Sequence, residues 1–220
     1  LDGDGKQLAA ELDSWDARYE PALLAPTLFE VWFDSLYRFS WDEMVALREA
    51  QKEVLLPDSW RLIDLLRNDT ANVFFDHPQT PHRETARNIV LESFQAMQRH
   101  FKQKPADKTD WGHAKGFAIR HMAQIDAFSR TDVVVGGNRN APNAISKSHG
   151  PSWRMIVDLG PSIKALGVYP GGQSGNPGSY FYDNMVDAWA TGRYYSLPFL
   201  QQPGDLTETR RLARQTFSSK

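Results

Sequence analysis

Along the first hundred residues the apolar positions recur at helical spacing. Leu8, Leu12 and Trp15 mark a short amphipathic segment. Leu28, Val31, Trp32, Leu36 and Phe39 follow at the i, i+3, i+4 period, behind Thr27 and Glu30 spaced as a capping box. Ser40 with Glu43 repeats that signature and predicts a new helix carrying Met44, Val45 and Leu47. Pro57-Asp58-Ser59 opens another, with Trp60, Ile63 and Leu66 expected inward, Leu62 as a further candidate, and Asn68-Asp69-Thr70 as its end. Thr80-Pro81 reads as an N-cap and first-turn pair. The helix behind it is the longest predicted, with a stripe of Ala86, Ile89, Val90, Phe94, Met97 and Phe101. Arg99, His100, Lys102 and Lys104 gather where cations suit the helix dipole, and Pro105 stops it.

After Pro105 the period changes. Trp111-Gly112-His113 reads as a loop or turn, Asp132 to Val135 as a short strand ending in Gly136-Gly137, and residues 138–148 as irregular. Trp153, Met155, Val157 and Leu159 then alternate with Arg154, Ile156 and Asp158, the period of a strand. Gly160-Pro161-Ser162 supplies a turn, and Ala165, Leu166, Val168 and Tyr169 form a second strand, so an antiparallel hairpin is expected. Residues 170–178 hold too much Gly and Pro for helix or regular strand. They predict positive φ values and a backbone running close to another surface. Tyr182, Met185, Val186 and Trp189 share a helix face that Gly192 ends, and Asp205 with Glu208 predicts a last helix carrying Leu206, Leu212 and Ala213. The fold class is therefore α+β: a helical region over 1–105, then an α+β region over 106–220 with a small antiparallel sheet and helices.

Composition narrows the function classes. Of 220 residues 41% are hydrophobic and 24% charged, an ordinary globular balance, and the net charge of −2 gives no basic footprint for nucleic acid. No apolar run approaches membrane-spanning length, and nothing at the start is made up like a signal peptide. Cysteine is absent, which removes disulfides, thiolate nucleophiles and Cys metal sites and fits an extracytoplasmic protein. Aromatics reach 12%, with seven Trp, which suggests flat faces made to be covered.

Candidate chemistry is sparse. Ser152, beside His149 in Gly150-Pro151-Ser152-Trp153-Arg154, lacks the last glycine of a nucleophile elbow and opens a strand. Ser174, between Gly172-Gln173 and Gly175, misses the same pattern by one residue and reads as a loop serine. The loop lacks the Lys-Ser/Thr of a phosphate-binding loop. His77, His82, His100, His113, His121 and His149 form no paired spacing, so no metal site is expected. His149 is expected to bond backbone or a carboxylate, and Arg154 with Asp158 to make an ion pair. Tyr180, Phe181, Tyr182, Trp189, Tyr194 and Tyr195 read as packing before they read as a ligand wall. Asn68-Asp69-Thr70 matches a glycosylation acceptor.

The stretch from His149 to Phe199 carries a resemblance. GPSWRMIVDLG, then YPGGQSGNPGS, a Tyr-Asp helix start and Trp-x-x-Gly are similar to the C-terminal end of the penicillin acylases, amidohydrolases of the N-terminal nucleophile superfamily. LDSWDARYE and APTLFEVWFDSLY resemble that family's helical segment. Where the family often has His and Gln, this chain has Phe181 and Met185. The resemblance implies part of an αββα fold and a parent that hydrolyses the amide of an N-acylated small molecule, a β-lactam side chain or an acyl homoserine lactone. In that family the nucleophile, oxyanion-hole donors and calcium ligands lie upstream of the part resembled, so no catalytic, cofactor or metal residue carries over. The superfamily's nucleophile is a freed N-terminal Ser, Thr or Cys, whereas this chain begins with Leu1, and cleavage at Gly178-Ser179 would leave too short a piece to build the layers. The resemblance implies an inactive C-terminal fragment, partnered by the rest of the acylase, periplasmic or extracellular, with an uncovered sheet through which it can dimerise. A non-catalytic binding domain, and a serine hydrolase using Ser152 or Ser174, are the alternatives.

Overall fold

The computed structural model describes residues 1–50, 53–77, 79–199, 205, 213 and 215–218. They form two compact units, Leu1–His149 and Gly150–Lys220.

The first unit is built on a helix pair, α2 (Ala25–Ser40) and α5 (Ala86–Gln103), with α1 (Gly3–Asp13), α3 (Asp42–Glu49) and α4 (Ser59–Asn68) around it. The predicted stripe of α5 is the one that packs. Ile89 joins Leu36, Trp41, Leu62, Leu65, Phe75 and Ala86 in one buried cluster. Phe94, Met97 and Phe101 join Leu8 and Leu28 in another. Trp32 Nε1 donates to Ser93 Oγ at 3.1 Å between the two clusters, which removes the penalty of burying both polar atoms. α1 is fastened to the end of α5 by Asp2. Its carboxylate caps Gly5 N at 2.8 Å and accepts from Gln98 Nε2 and Lys102 Nζ at 2.9 and 3.0 Å. Those bonds, the Gly5 amide first, hold its acid at about 2.

Three helix starts differ from the sequence reading. α2 begins at Ala25 with Leu24 as N-cap and Pro26 in its first turn, so Thr27 and Glu30 are inside the helix and form no capping box. Ser40 Oγ bonds back to Leu36 O at 2.8 Å, and α3 starts behind Trp41 without a side-chain cap. The long helix starts at Thr85, which makes a reciprocal box with Asn88, and not at Thr80-Pro81; Thr80 Oγ1 bonds Glu84 Oε1 at 2.6 Å instead. In α4 the buried face is Leu62 and Leu65, while Trp60 is 64% exposed. This helix has two adjacent apolar stripes, 60/63 and 62/65/66, and only the second meets α2 and α5.

Residues 106–149 belong to the first unit because their backbone is bonded to its beginning. Trp111 N donates to Leu23 O, Gly112 N to Pro21 O and Gly137 N to Tyr19 O, each at 2.8 Å. Trp111 opens a short helix, α6 (Trp111–Ala114), capped by Asp110. The texture change at Pro105 and the boundary between compact units are thus different places in the chain. The strand expected at Asp132–Val135 does not form. Asp132 has φ +55°, Val133 N bonds Phe117 O, and Gly137 N, just beyond the segment, bonds Tyr19 O, so no ladder builds. Gly137 has φ +82°, and a Cβ on Gly136 would stand 2.7 Å from Tyr19 O.

The second unit holds the antiparallel sheet β1–β2–β3: Arg154–Asp158, Lys164–Val168 and Tyr195–Leu197. The hairpin register runs from Arg154 opposite Val168 to Asp158 opposite Lys164. The third strand pairs Ala165 with Leu197, in a stretch with no alternating pattern to announce it. The helix α7 (Val186–Ala190) buries Val186, Ala188 and Trp189 and ends at Gly192, φ +70°. It is shorter than the pattern implied, because residues 180–185 are turns. β1 is an edge strand, and both its faces are open: Met155 and Ile156 are 55% and 52% exposed, with Leu159 at 82%. The helix expected from Asp205 lies outside the described residues, apart from Asp205 and Ala213.

Candidate functional site

Most of the residues weighed for chemistry are engaged in structure. Ser174 Oγ accepts the amide of Asn176 at 3.1 Å, and Ser174 N donates to Phe181 O at 3.0 Å, so this serine closes a turn. Ser152 is exposed at the strand entry. The His149 ring pairs with the Ser148 hydroxyl at 2.8 Å, not with backbone or a carboxylate. Arg154 and Asp158 lie at opposite ends of β1, about 13 Å apart at strand rise, too far to pair. Arg154 Nη1 instead donates to Trp189 O at 2.7 Å with its guanidinium 4.6 Å over the Trp189 ring, and Asp158 caps the turn at Gly160 N. Tyr180 packs edge-on against Phe181, and Trp189 is fully buried with its Nε1 on Pro151 O. Asn68 closes α4 with its amide on Asp64 Oδ1 at 2.8 Å. The remaining histidines bond near carboxylates, as His77 does with Asp42, or in the case of His121 face Phe128.

The glycine loop is held by its neighbours' backbone. Gly171 O accepts from Met185 N at 2.9 Å, and a Cβ on Gly172 would stand 2.0 Å from Phe181 O. Neither Gly172 nor Gly175 has a positive φ; glycine is required at 172 for close approach, and a Cβ at 175 would meet open space. The expectation of close backbone approach therefore holds at Gly172, and that of positive φ does not.

The first unit contains a cleft of about 980 Å³ walled by α2, the start of α4 and residues 138–142. Glu30 stands in its wall. Its Oε1 accepts from Tyr19 Oη at 2.5 Å and from Asn138 Nδ2 at 2.9 Å. Burial pushes the Glu30 acid above its ordinary value, against the pull of those two bonds and of Arg139. Burial, then Glu30, pushes the Tyr19 phenol up, so it stays a donor. The stacked rings of Phe29 and Phe33, 5.6 Å apart, and the outward stripe of α4 (Trp60, Ile63) supply apolar wall. The sequence reading missed this trio. Its one signal was a lone carboxylate at Glu30 inside the apolar run PTLFEVWF.

The family model for penicillin amidase matches residues 2–204. The chain belongs to the penicillin amidase family. Among its curated relatives, the acyl-homoserine lactone acylase QuiP of Pseudomonas putida is 29% identical over 212 residues, which cover 88% of this chain and 26% of that protein. QuiP of Pseudomonas aeruginosa is 52% identical over 52 residues, 24% of this chain. A thermostable penicillin G acylase from Alcaligenes faecalis shares the fold at 13% identity and TM-score 0.50, covering all of this chain and 43% of that one. This member of the penicillin amidase family thus has the α+β fold of part of an N-terminal nucleophile hydrolase, and spans about a quarter of the length of QuiP. Among the described residues no group of three or more His, Asp and Glu side chains is placed to hold a metal ion.

Proposed function

We propose that this chain is the C-terminal portion of an amidohydrolase that adds water across the amide of an N-acylated small molecule, releasing a carboxylic acid and an amine. Acyl homoserine lactones are the favoured substrates and β-lactam side chains the second class, because the curated relatives are named for the former. The observation that carries the reading is the family match over 2–204 in a chain that amounts to 26% of such a relative. The nucleophile, the oxyanion donors and any calcium ligands then lie in residues beyond these 220, and the parent is periplasmic or extracellular. The engagement of Ser174 in a turn supports a scaffolding role for its loop. The open faces of β1 support a partner: the upstream part of the acylase, laid against this sheet.

The test is turnover. The 220-residue chain is assayed on N-acyl homoserine lactones and penicillin G, alone and co-expressed with the upstream part of its reading frame. No turnover is expected alone and amide hydrolysis with the partner. Saturable hydrolysis by the chain alone, abolished by Ser152→Ala or Ser174→Ala, would overturn the proposal. Fractionation of cells expressing the full reading frame tests the location, with activity in the cytosol as the contrary result.

A further inference from the structure

The cleft beside Glu30 does not enter the proposed hydrolysis, yet its chemistry is selective. Its volume, about 980 Å³, is at the upper end of the range for small-molecule sites. Glu30 uses Oε1 for both Tyr19 and Asn138. Those two bonds hold the carboxylate in one orientation, and they leave Oε2 with its acceptor capacity for a third donor. Beside it Phe29 and Phe33 are stacked, and Trp60 and Ile63 turn outward from α4 instead of joining the core. A fixed carboxylate next to aromatic faces is the combination that attracts an organic cation, through a charge-assisted hydrogen bond and through the rings.

We propose that this cleft is a binding site for a primary ammonium with an aryl or alkyl body, its nitrogen on Glu30 Oε2 and its apolar part against Phe29, Phe33 and Trp60. The charged groups that face Glu30 are Asp34 of the same helix, which reinforces the preference, and Arg139 of the loop, which opposes it from an exposed position where water screens it. Arg48 and Asp58 stand near Tyr37 in the same cleft and offset each other. An anion would be set against Glu30 in a half-buried wall, where water screens less than at the rim.

The chain as it stands is titrated with 2-phenylethylammonium, 2-phenylethanol and 3-phenylpropanoate by calorimetry and by amide NMR. At pH 7 the ammonium is expected to bind at least about tenfold tighter than the alcohol, the size of one charge-assisted bond, with the shifts centred on Asn138 and the α2 aromatics. The ammonium needs Glu30 ionised, so its affinity falls as pH drops through the raised Glu30 value, while that of the alcohol stays level. Glu30→Gln removes the preference, and Tyr19→Phe, which leaves the charge, keeps it. Equal binding of the three probes, shifts away from the cleft, or an ammonium affinity independent of pH would overturn the proposal. The pH series needs no variant, so it decides the matter even if Glu30→Gln fails to fold.

Discussion

A valine at position 172 tests whether the glycine loop is a structural joint. The added Cβ would lie 2.0 Å from Phe181 O and 2.7 Å from the carbonyl carbons of Phe181 and Tyr182. These are backbone atoms, so no side-chain rotation relieves the clash. The segment 181–182 must move away, and with it the bonds Ser174 N to Phe181 O and Met185 N to Gly171 O. Two lost backbone bonds cost about 1 kcal/mol each. Forcing new volume into a packed place adds roughly 1–3 kcal/mol, so a loss of about 3–5 kcal/mol is expected. For a chain of this size each kcal/mol lowers Tm by roughly 2–4 °C. Urea melts followed by amide NMR read the second unit separately from the first, which holds five of the seven Trp. Gly175→Val is the control, since a Cβ there meets nothing within 4 Å, and it should stay within about 0.5 kcal/mol of the parent. If Gly172→Val melts with the unaltered chain, the close approach is not what requires glycine. In the intact acylase, lost turnover with unchanged Tm would assign the loop to the active site.

Three further outcomes are expected. Burial disfavours the charged form of His77, but the Asp42 hydrogen bond and the charges of Asp42, Glu92 and Glu84 outweigh it and raise its acid above the ordinary 6.5. That contribution to stability is complete below the ordinary value and is lost as pH rises through the folded one. His77→Gln should therefore flatten the decline of stability with rising pH in that window, and an unchanged pH profile would show that the cluster is not coupled to folding. Arg154→Lys keeps the charge but loses the flat guanidinium over Trp189 and its fixed bond to the Trp189 carbonyl. Chemical melts should show about 1–2 kcal/mol of destabilisation, and a neutral result would reduce the stacking to coincidence. The chain is expected to self-associate through the open face of β1, and Ile156→Lys, which puts a charge there, to abolish that in sedimentation velocity; a chain that stays monomeric at all concentrations, or association that persists in the variant, would refute this.

Legibility in this chain followed how many residues shared one message. The α5 stripe repeats its period over about four turns, from Ala86 to Phe101, and is the face that packs. The β1–β2 hairpin was announced twice, by the Trp153–Leu159 alternation and by the Gly160-Pro161-Ser162 turn. Single-residue signals were less dependable. Thr27 with Glu30 and Ser40 with Glu43 have capping-box spacing, but a cap needs the helix to begin there, and Pro26 had already begun α2 one turn sooner. In α4 the helical period admitted two stripes; packing against α2 and α5 selected 62/65, and sequence contains no term for that neighbour. Asp132–Val135 had strand composition, but Asp132 takes φ +55° and Val133 N bonds Phe117 O without a ladder forming.

The same distinction explains why the cleft could not be read. Tyr19, Glu30 and Asn138 come from a loop, a helix interior and an irregular turn, 11 and 108 residues apart from Glu30. No local pattern links them. What brings them together is the backbone bond from Gly137 N to Tyr19 O, which lays the 137–138 turn beside the 19–21 segment. Gly136 and Gly137 permit that approach, one because a Cβ would strike Tyr19 O, the other through its positive φ. The glycine pair that looked like the end of a strand is therefore what positions Asn138 on Glu30. A Gly136→Val change should separate the Asn138 amide from Glu30 as well as destabilise the unit. That links a backbone requirement, visible in sequence only as Gly-Gly, to the side-chain geometry on which the cleft's charge preference rests.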